Sequence, residues 1–428
     1  MKFQAVKGTR DFYPDQMALR NWLIDAWRRV SLRNGFEEID GPVLEYLDLF
    51  RVKSGEEIVS QLFSFTDRGG RELAMRPEMT PTLARMVNAR ISSLPRPIKW
   101  FSVPRMWRAE KPQRGRLREF FQWNVDVIGT EGDDVLADAE CIFTAVDFLA
   151  EVGLGPEDVQ VHIGSRSLTV AALRRVGVGD SQMEPALAAL DKRPRVSQAE
   201  FAKMATAAGI PADRLGEICA FQDAPDLSSV FETLGGGFET AEEIARLEAL
   251  LATVESMGIA EYCRLDMRMV RGLAYYTSIV YEILDAGSNL RAVGGGGRYD
   301  NLLEVLGGPE IGATGFGMGD PVLSILLAEK GKLPDLSAGL DCFVVDGAAG
   351  LFEQVLATVG RLRRGGVVAD YSFRRQPVGK QLKEANRRNA RYAVIVQTDA
   401  VGVKNLATGE QTDVSPEELL SDPRRYLR

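Results

Sequence analysis

A single histidine, His162, occurs in the 428 residues, and this removes most familiar catalytic constellations. Neither a Ser-His-Asp triad nor a histidine-rich metal centre is easily built around it. It lies in the apolar run Val159–Ile163, where it reads as a core or sheet histidine. Cys141, Cys219, Cys263 and Cys342 stand apart without a C-x-x-C pair, which argues against a disulfide framework and a zinc site. If the chain is an enzyme, its chemistry rests on arginines, carboxylates, amides and bound metal. The glycine clusters Val293–Asp300 and Gly315–Gly319 do not fit G-x-G-x-x-G, and no G-x-x-x-x-G-K-[ST] occurs, so Rossmann and P-loop nucleotide sites are disfavoured. Arginine's planar fork still matches phosphate oxygens, so an arginine-bearing antiparallel sheet could bind ATP.

Such a sheet is foreshadowed between Arg116 and Ile128, which alternate with period two. Phe121, Trp123, Val125 and Val127 face one way, while Arg116, Arg118, Phe120, Gln122, Asn124 and Asp126 face the other. The first face is core. The second is either a solvated sheet surface or a binding surface.

The elements that must carry this strand follow from pattern. Leu19, Trp22, Leu23, Ala26, Trp27 and Val30 recur at helical spacing, and Asn34-Gly35 supplies the stop. Phe36–Leu44 is strand-like, with Gly41-Pro42 favouring a sheet edge or an interface. Residues 166–255 are alanine-rich and helical, with breaks expected at Pro185, Pro194, Pro211 and Gly235–Gly237; they read as an inserted helical module. Strand patterns resume at Tyr276–Leu284. Beyond the linker Gly331–Pro334, apolar strands at Cys342–Val345, Val367–Ala369 and Tyr392–Val396 alternate with two helices, which predicts a small parallel α/β domain.

Composition agrees with a multidomain globular chain: 45% apolar, 26% charged, and long enough for two to four domains at about 100–200 residues each. No apolar run is long enough to span a bilayer, and the N-terminus has no signal-peptide pattern, so a cytoplasmic location is the expectation. A net charge of −8 argues against a polyanion partner, but the average hides a reversal. Between Arg361 and Arg391 the basic residues Arg361, Arg363, Arg364, Arg374, Arg375, Lys380, Lys383, Arg387, Arg388 and Arg391 face only Asp370 and Glu384. A basic patch near the C-terminus is predicted.

Several segments together resemble the histidyl-tRNA synthetases, a family of class II aminoacyl-tRNA synthetases. Lys7–Asp11 is similar to the family's opening, and Gly35–Pro42 to the class II segment that lies at the dimer interface. Met75–Thr80 resembles the amino-acid loop, which implies that Glu78 and Thr80 hold the substrate ammonium. Met106–Gln122 resembles the class II strand-loop-strand, which implies Arg108 on the α-phosphate, Arg116 in a mobile loop near ATP, and Phe121 or Phe120 against adenine. Gln122 and Asp126 would then read the bound amino acid. Val270–Tyr276 and Gly296–Asp300 look like the two signatures peculiar to histidyl enzymes. They imply Arg271 on the α-phosphate and the substrate carboxylate, with Tyr275, Tyr276 and Tyr299 lining the amino-acid pocket. The C-terminal runs Arg375–Lys383 and Lys404–Gly409 resemble the anticodon-binding domain.

Two positions depart from that family's pattern. Ala274 stands where its signature carries an acidic residue, and Val322 where class II enzymes place an arginine that meets the γ-phosphate. Mg²⁺, Arg114, Arg116 or Arg298 could neutralise the triphosphate tail instead, with Mg²⁺ and Arg116 favoured. Gly319–Leu323 is still expected to begin a helix, with Asp320 as N-cap and Pro321 at its first position.

The implied architecture is an α+β class II catalytic core, a mostly antiparallel sheet with flanking helices, from residues 1–165 and 256–332. A helical insertion (166–255) and an anticodon-binding α/β domain (335–428) complete it. The implied activity is adenylation of histidine by ATP with Mg²⁺ and transfer to tRNA(His), by a homodimer. Regulatory relatives of ATP phosphoribosyltransferase share the core but lack the basic tail. Synthetases for glycine, threonine or proline share the tail but lack the Arg271 and Tyr299 signatures.

Overall fold

The computed structural model describes residues 3–51, 61–130, 132, 134–270, 275–287, 290–336 and 339–427. The chain forms two compact units, one of Met1–Phe12 with Arg20–Leu333 and the other of Tyr13–Leu19 with Pro334–Arg428.

In the larger unit β1 (Glu37–Glu38) is followed by a small antiparallel sheet of β2 (Leu44–Tyr46), β3 (Ser64–Thr66) and β4 (Glu72–Met75). Then come β5 (Ile98–Ser102), β6 (Arg105–Trp107), β7 (Glu119–Ile128), β8 (Val159–Ser165), β9 (Cys263–Leu265), β10 (Ile279–Asp285), β11 (Gly294–Arg298) and β12 (Ala313–Gly319). The large sheet runs β1-β5-β7-β12-β11-β10-β8-β9, with β6 paired to β7. Among the described residues of this sheet only the outer pairs β1/β5 and β8/β9 are parallel.

One face of this sheet is closed by two helices. The helix Pro14–Arg33 buries Leu23, Ala26, Trp27 and Val30, as its spacing predicts, and ends at Asn34-Gly35, with Gly35 at φ +77°. Trp27 stacks on Trp123 of β7, and Trp123 meets Phe316 of β12 edge-on and Phe148 of the helix Asp134–Glu151. The Trp123 indole donates to Ser31 Oγ at 2.9 Å, whereas the buried indole nitrogen of Trp27 has no hydrogen-bond partner. The alternation read between Arg116 and Ile128 therefore has its apolar face in this core, leaving Phe120, Gln122, Asn124 and Asp126 for the opposite side.

Residues 166–256 are helical, with Ser165, Ser197 and Asp226 as side-chain N-caps. Pro185 does not break the chain as expected. It sits inside the helix Asp180–Lys192, where the lost backbone bond is offset by burial of Met183, Ala186, Leu187, Ala189 and Leu190.

The smaller unit is a five-stranded sheet ordered β14 (Ala369–Tyr371), β13 (Cys342–Asp346), β15 (Tyr392–Val396), β16 (Val401–Asn405), β17 (Gln411–Val414). The three strands read from sequence are parallel, but β16 and β17 add antiparallel, so the domain is mixed rather than all parallel. Short turns suffice for antiparallel neighbours, whereas the parallel pairs need the helices Phe352–Arg364 and Val378–Arg387 as crossovers.

Candidate active site

The face of the large sheet away from the two helices forms the floor of a cleft of about 900 Å³. Register explains its depth. Gln122, Asn124 and Asp126 on β7 lie opposite Gly319, Gly317 and Gly315 on β12. Gly317 and Gly315 in turn face Gly295 and Gly297 on β11. The middle of the floor therefore has no side chains, and polar groups on the flanks can lean across it. A Cβ on Gly315 would fall 2.2 Å from Asp126 Oδ1, and one on Gly317 2.2 Å from Gln122 Nε2. A Cβ on Gly297 would fall 2.8 Å from the Tyr276 ring.

Across this floor the Tyr299 hydroxyl donates to Asp126 Oδ1 at 2.5 Å, both residues being buried. The Tyr275 hydroxyl donates to Glu78 Oε2 at 3.1 Å, and its ring packs against Tyr276 and Tyr299. Burial first, and the adjoining carboxylate charge second, hold the phenols of Tyr275 and Tyr299 well above their ordinary range. Both remain neutral donors at physiological pH. Gln122 is oriented by a 2.7 Å bond from its Nε2 to Asn124 Oδ1.

Farther along the cleft Arg108 spans β6's end and the loop before β7. Its Nε donates to the carbonyl of Pro77 at 3.0 Å and its guanidinium lies 5.2 Å from the Phe120 ring centre. The pair leaves a flat ring beside a cation. The turn Gln113–Arg116 is closed by reciprocal backbone bonds, and Arg116 pairs with Glu110. At the tip Gly115, with φ +72°, rests over Val322, whose Cγ2 would be 3.0 Å from a Cβ there.

The structure thus brings Glu78, Thr80, Arg108, Arg116, Phe120, Gln122, Asp126, Tyr275, Tyr276 and Tyr299 to one cleft. Arg271 lies outside the described residues. Two expected ATP ligands are elsewhere. Phe121, the strand neighbour of Phe120, points to the opposite face, among Phe12, Arg20 and Arg105. Arg298 is fully buried on that same far side, paired with Asp134, Asp138 and Asp300. The reason is strand parity: adjacent residues project to opposite faces, so Arg298 and Tyr299 cannot both serve the cleft. Arg114 pairs with Glu329 at the far end of the helix Asp320–Glu329.

Asp320 also differs from its expected role. Gly319 is the N-cap and Asp320 the first helical residue, and its carboxylate accepts from the backbone of Phe121 at 2.8 Å and from Arg10 at 2.7 Å. It ties the helix start to β7 rather than capping its own helix.

Sequence reasoning missed several cleft residues. Glu282 and Asp285 on β10 and Arg268 and Arg291 beside it add charges, and Asp191, Pro194 and Arg195 bring the helical insertion to the wall. A charged residue inside the apolar strand Ile279–Asp285 was a usable signal for Glu282; nothing local marks the insertion residues. His162 lies opposite Glu282 and bonds through Nδ1 to Asp266 Oδ2 at 2.8 Å, with Arg268 holding the same carboxylate. It is an oriented sheet histidine, as its setting in the apolar run suggests.

A mostly antiparallel sheet with a glycine floor, an arginine-bearing strand-loop-strand and a helix starting at its end is the architecture of a class II aminoacyl-tRNA synthetase. The family model described as histidyl-tRNA synthetase matches residues 8–319, and one described as an anticodon binding domain matches residues 341–422. The chain is similar to the histidine--tRNA ligase of Opitutus terrae, with 39% identity over 434 residues and 99% of each chain covered. It is also 39% identical over 418 residues to the chloroplastic/mitochondrial histidine--tRNA ligase of Arabidopsis thaliana, covering 96% of this chain and 85% of that one. In fold it is similar to the crystal structure of histidyl-tRNA synthetase from Nostoc sp. PCC 7120, with a TM-score of 0.83, 23% identity and 99% of each chain covered. The chain belongs to the histidyl-tRNA synthetase family.

Proposed function

We propose that the chain activates histidine with ATP and transfers it to tRNA(His). The observation that carries this reading is the Asp126–Tyr299 pair set over a floor of glycines, with Gln122 and the Glu78–Tyr275 pair beside it. An imidazole offers one N–H donor and one nitrogen acceptor; Asp126, held by the Tyr299 hydroxyl, supplies an acceptor, and the Gln122 amide, which uses one N–H on Asn124, supplies a second N–H as donor. Glu78 and Thr80 suit the substrate ammonium.

The chemistry needs no histidine base. The substrate carboxylate attacks the α-phosphorus in line, a carboxyl–phosphate bond forms, and pyrophosphate leaves with the electrons of the broken P–O bond. A terminal ribose hydroxyl of the tRNA then attacks the carbonyl carbon, loses its proton, and AMP leaves. Arg108 and Arg271 would neutralise charge that grows at the α-phosphate, a role for preorganised cations. Phe120 offers the ring for adenine. Arg116 follows Gly115, which rests over Val322, and lines the same cleft, which makes it the substitute we favour for the missing arginine. Mg²⁺ would shield the triphosphate when bound, taking most of its ligands from phosphate and water, since no group of three or more His, Cys, Asp or Glu among the described residues is placed to hold a metal ion.

Lys380, Lys383 and Arg387 recur on one stripe of the helix Val378–Arg387 and are exposed, as are Arg361, Arg364 and Arg374. These supply the tRNA contact. Val43, Leu44, Tyr46 and Phe65 are exposed apolar side chains on or beside the small sheet, and their cover in a homodimer accounts for them. No described helix is long and apolar enough to cross a membrane; the proposed place of work is the cytoplasm. The test is aminoacylation of tRNA(His) by the full chain and by a variant with Lys380, Lys383 and Arg387 changed to Ala. Charging should be lost or strongly weakened in the variant while histidine activation persists. Equal charging by both would refute the assignment of that face.

A further inference from the structure

Behind the cleft floor lies a charge cluster that the proposed reaction does not use. Arg298 Nε donates to Asp138 Oδ2 at 3.1 Å, and its NH1 meets Asp134 Oδ1 and Asp300 Oδ1, each at 3.0 Å. Its NH2 donates to the main-chain carbonyl of Asp134 at 2.6 Å. Both Arg298 and Asp138 have side chains with no exposed surface. Three carboxylates share one guanidinium, and burial pushes the Asp138 carboxyl up to about 6 even with Arg298 beside it. A buried ion cluster of this kind is a poor route to stability, because apolar groups of similar volume commonly do as well. Its geometry shows a different use.

Two of the cluster's members reach the segments that bear the pocket tyrosines. Tyr299 follows Arg298 directly. Asp300 Oδ2 accepts from Thr277 Oγ1 at 2.5 Å, and the Thr277 amide donates to the Arg298 carbonyl at 2.8 Å. Thr277 directly follows Tyr275 and Tyr276. The helix Asp134–Glu151, through Asp134 and Asp138, anchors the whole assembly from the far side of the sheet.

We propose that Arg298 and Asp300 are positioning residues for amino-acid recognition: with Thr277 they lock the two tyrosine-bearing segments together, so that Tyr275, Tyr276 and Tyr299 are held in the orientation that binds the substrate side chain. This rests on the reading of the cleft as a histidine site. The Tyr275 ring packs against those of both Tyr276 and Tyr299, so a slip of either segment moves the whole wall. A displacement of about 1 Å in a binding group can cost on the order of a hundredfold in rate.

The test uses the full chain with Asp300→Ala, Asp300→Asn and Thr277→Val. Histidine and ATP Michaelis constants are measured by pyrophosphate exchange, thermal melting is followed in parallel, and the Asp300→Ala variant is crystallised. The constant for histidine should rise at least about tenfold in Asp300→Ala and that for ATP by less than about threefold. Asp300→Asn, which keeps an acceptor for Thr277, should recover part of the loss. The proposal is overturned if both constants stay near the parent's, or if both rise together with a lowered melting temperature, as a merely structural role requires. It is also overturned if the crystal structure retains the Tyr299–Asp126 and Tyr275–Glu78 contacts. Activation of a different amino acid by the parent would instead overturn the histidine reading, and the crystal structure would still decide the positioning role.

Discussion

Tyr299 reaches Asp126 at 2.5 Å over a strand that lies between them: Asp126 is on β7, Tyr299 follows β11, and Gly315 of β12 is directly beneath the contact. The bond exists because Gly315 has no side chain. Gly315→Ala should therefore displace the Asp126 carboxylate and raise the Michaelis constant for histidine at least about tenfold, the equivalent of one hydrogen bond to a charged group. Steady-state exchange kinetics check it, and an unchanged constant would show that the glycine floor does not serve the pocket.

Removing the donor has a different consequence. Tyr299→Phe keeps the ring and its packing but removes the hydroxyl that donates to the buried Asp126 carboxylate, at a cost of about 1–3 kcal/mol. The expected outcome is weaker histidine binding by calorimetry. Discrimination against phenylalanine should narrow as well, because the polar groups that reject an apolar side chain are then poorly set.

On the proposed reading Val322 stands at the triphosphate tail in place of an arginine, and Gly115 of the Gln113–Arg116 turn rests over that valine. Arg116→Ala should raise the Michaelis constant for ATP far more than that for histidine. If neither moves, a different cation holds the tail.

Asp266 provides a pH test. Burial alone would raise its carboxyl, but the hydrogen bond from His162 and those from Arg268 outweigh that and hold it well below the usual carboxylate range. A carboxylate depressed in the folded state stabilises above its unfolded value, about 3.9, and loses that contribution as pH falls toward the folded one. Asp266→Asn should thus cost on the order of 1–3 kcal/mol at pH 7, and the gap to the parent should shrink as pH falls below about 4. Denaturant melts at pH 7 and pH 3 check this; a constant gap would mean that the carboxylate's charge is not what stabilises.

Much of this cleft was legible from periodicity. The even positions of β7, from Phe120 to Asp126, were assigned to one face because Trp123 and its odd neighbours demanded the core. The same parity rule separates Arg298 from Tyr299 and Phe121 from Phe120, so Arg298 does not serve the triphosphate tail from the cleft side and, of the two phenylalanines, Phe120 is the one that faces the cleft. Asp320 was displaced by one residue: Asp-Pro fits a helix start, but the pull of Phe121 and Arg10 on its carboxylate is tertiary. Asp191 and Arg195 had no local signal, because only the folding of residues 166–256 against the sheet brings them to the cleft.

Histidine-dependent exchange of pyrophosphate into ATP, run with Mg²⁺ and with the other amino acids as controls, tests the central claim most directly. The account predicts exchange with histidine, loss of it in Arg271→Ala with the fold retained by circular dichroism, and discrimination against phenylalanine and leucine of about 10⁴ or more. Absence of exchange at any Mg²⁺ concentration, or efficient exchange with an apolar amino acid, would contradict it.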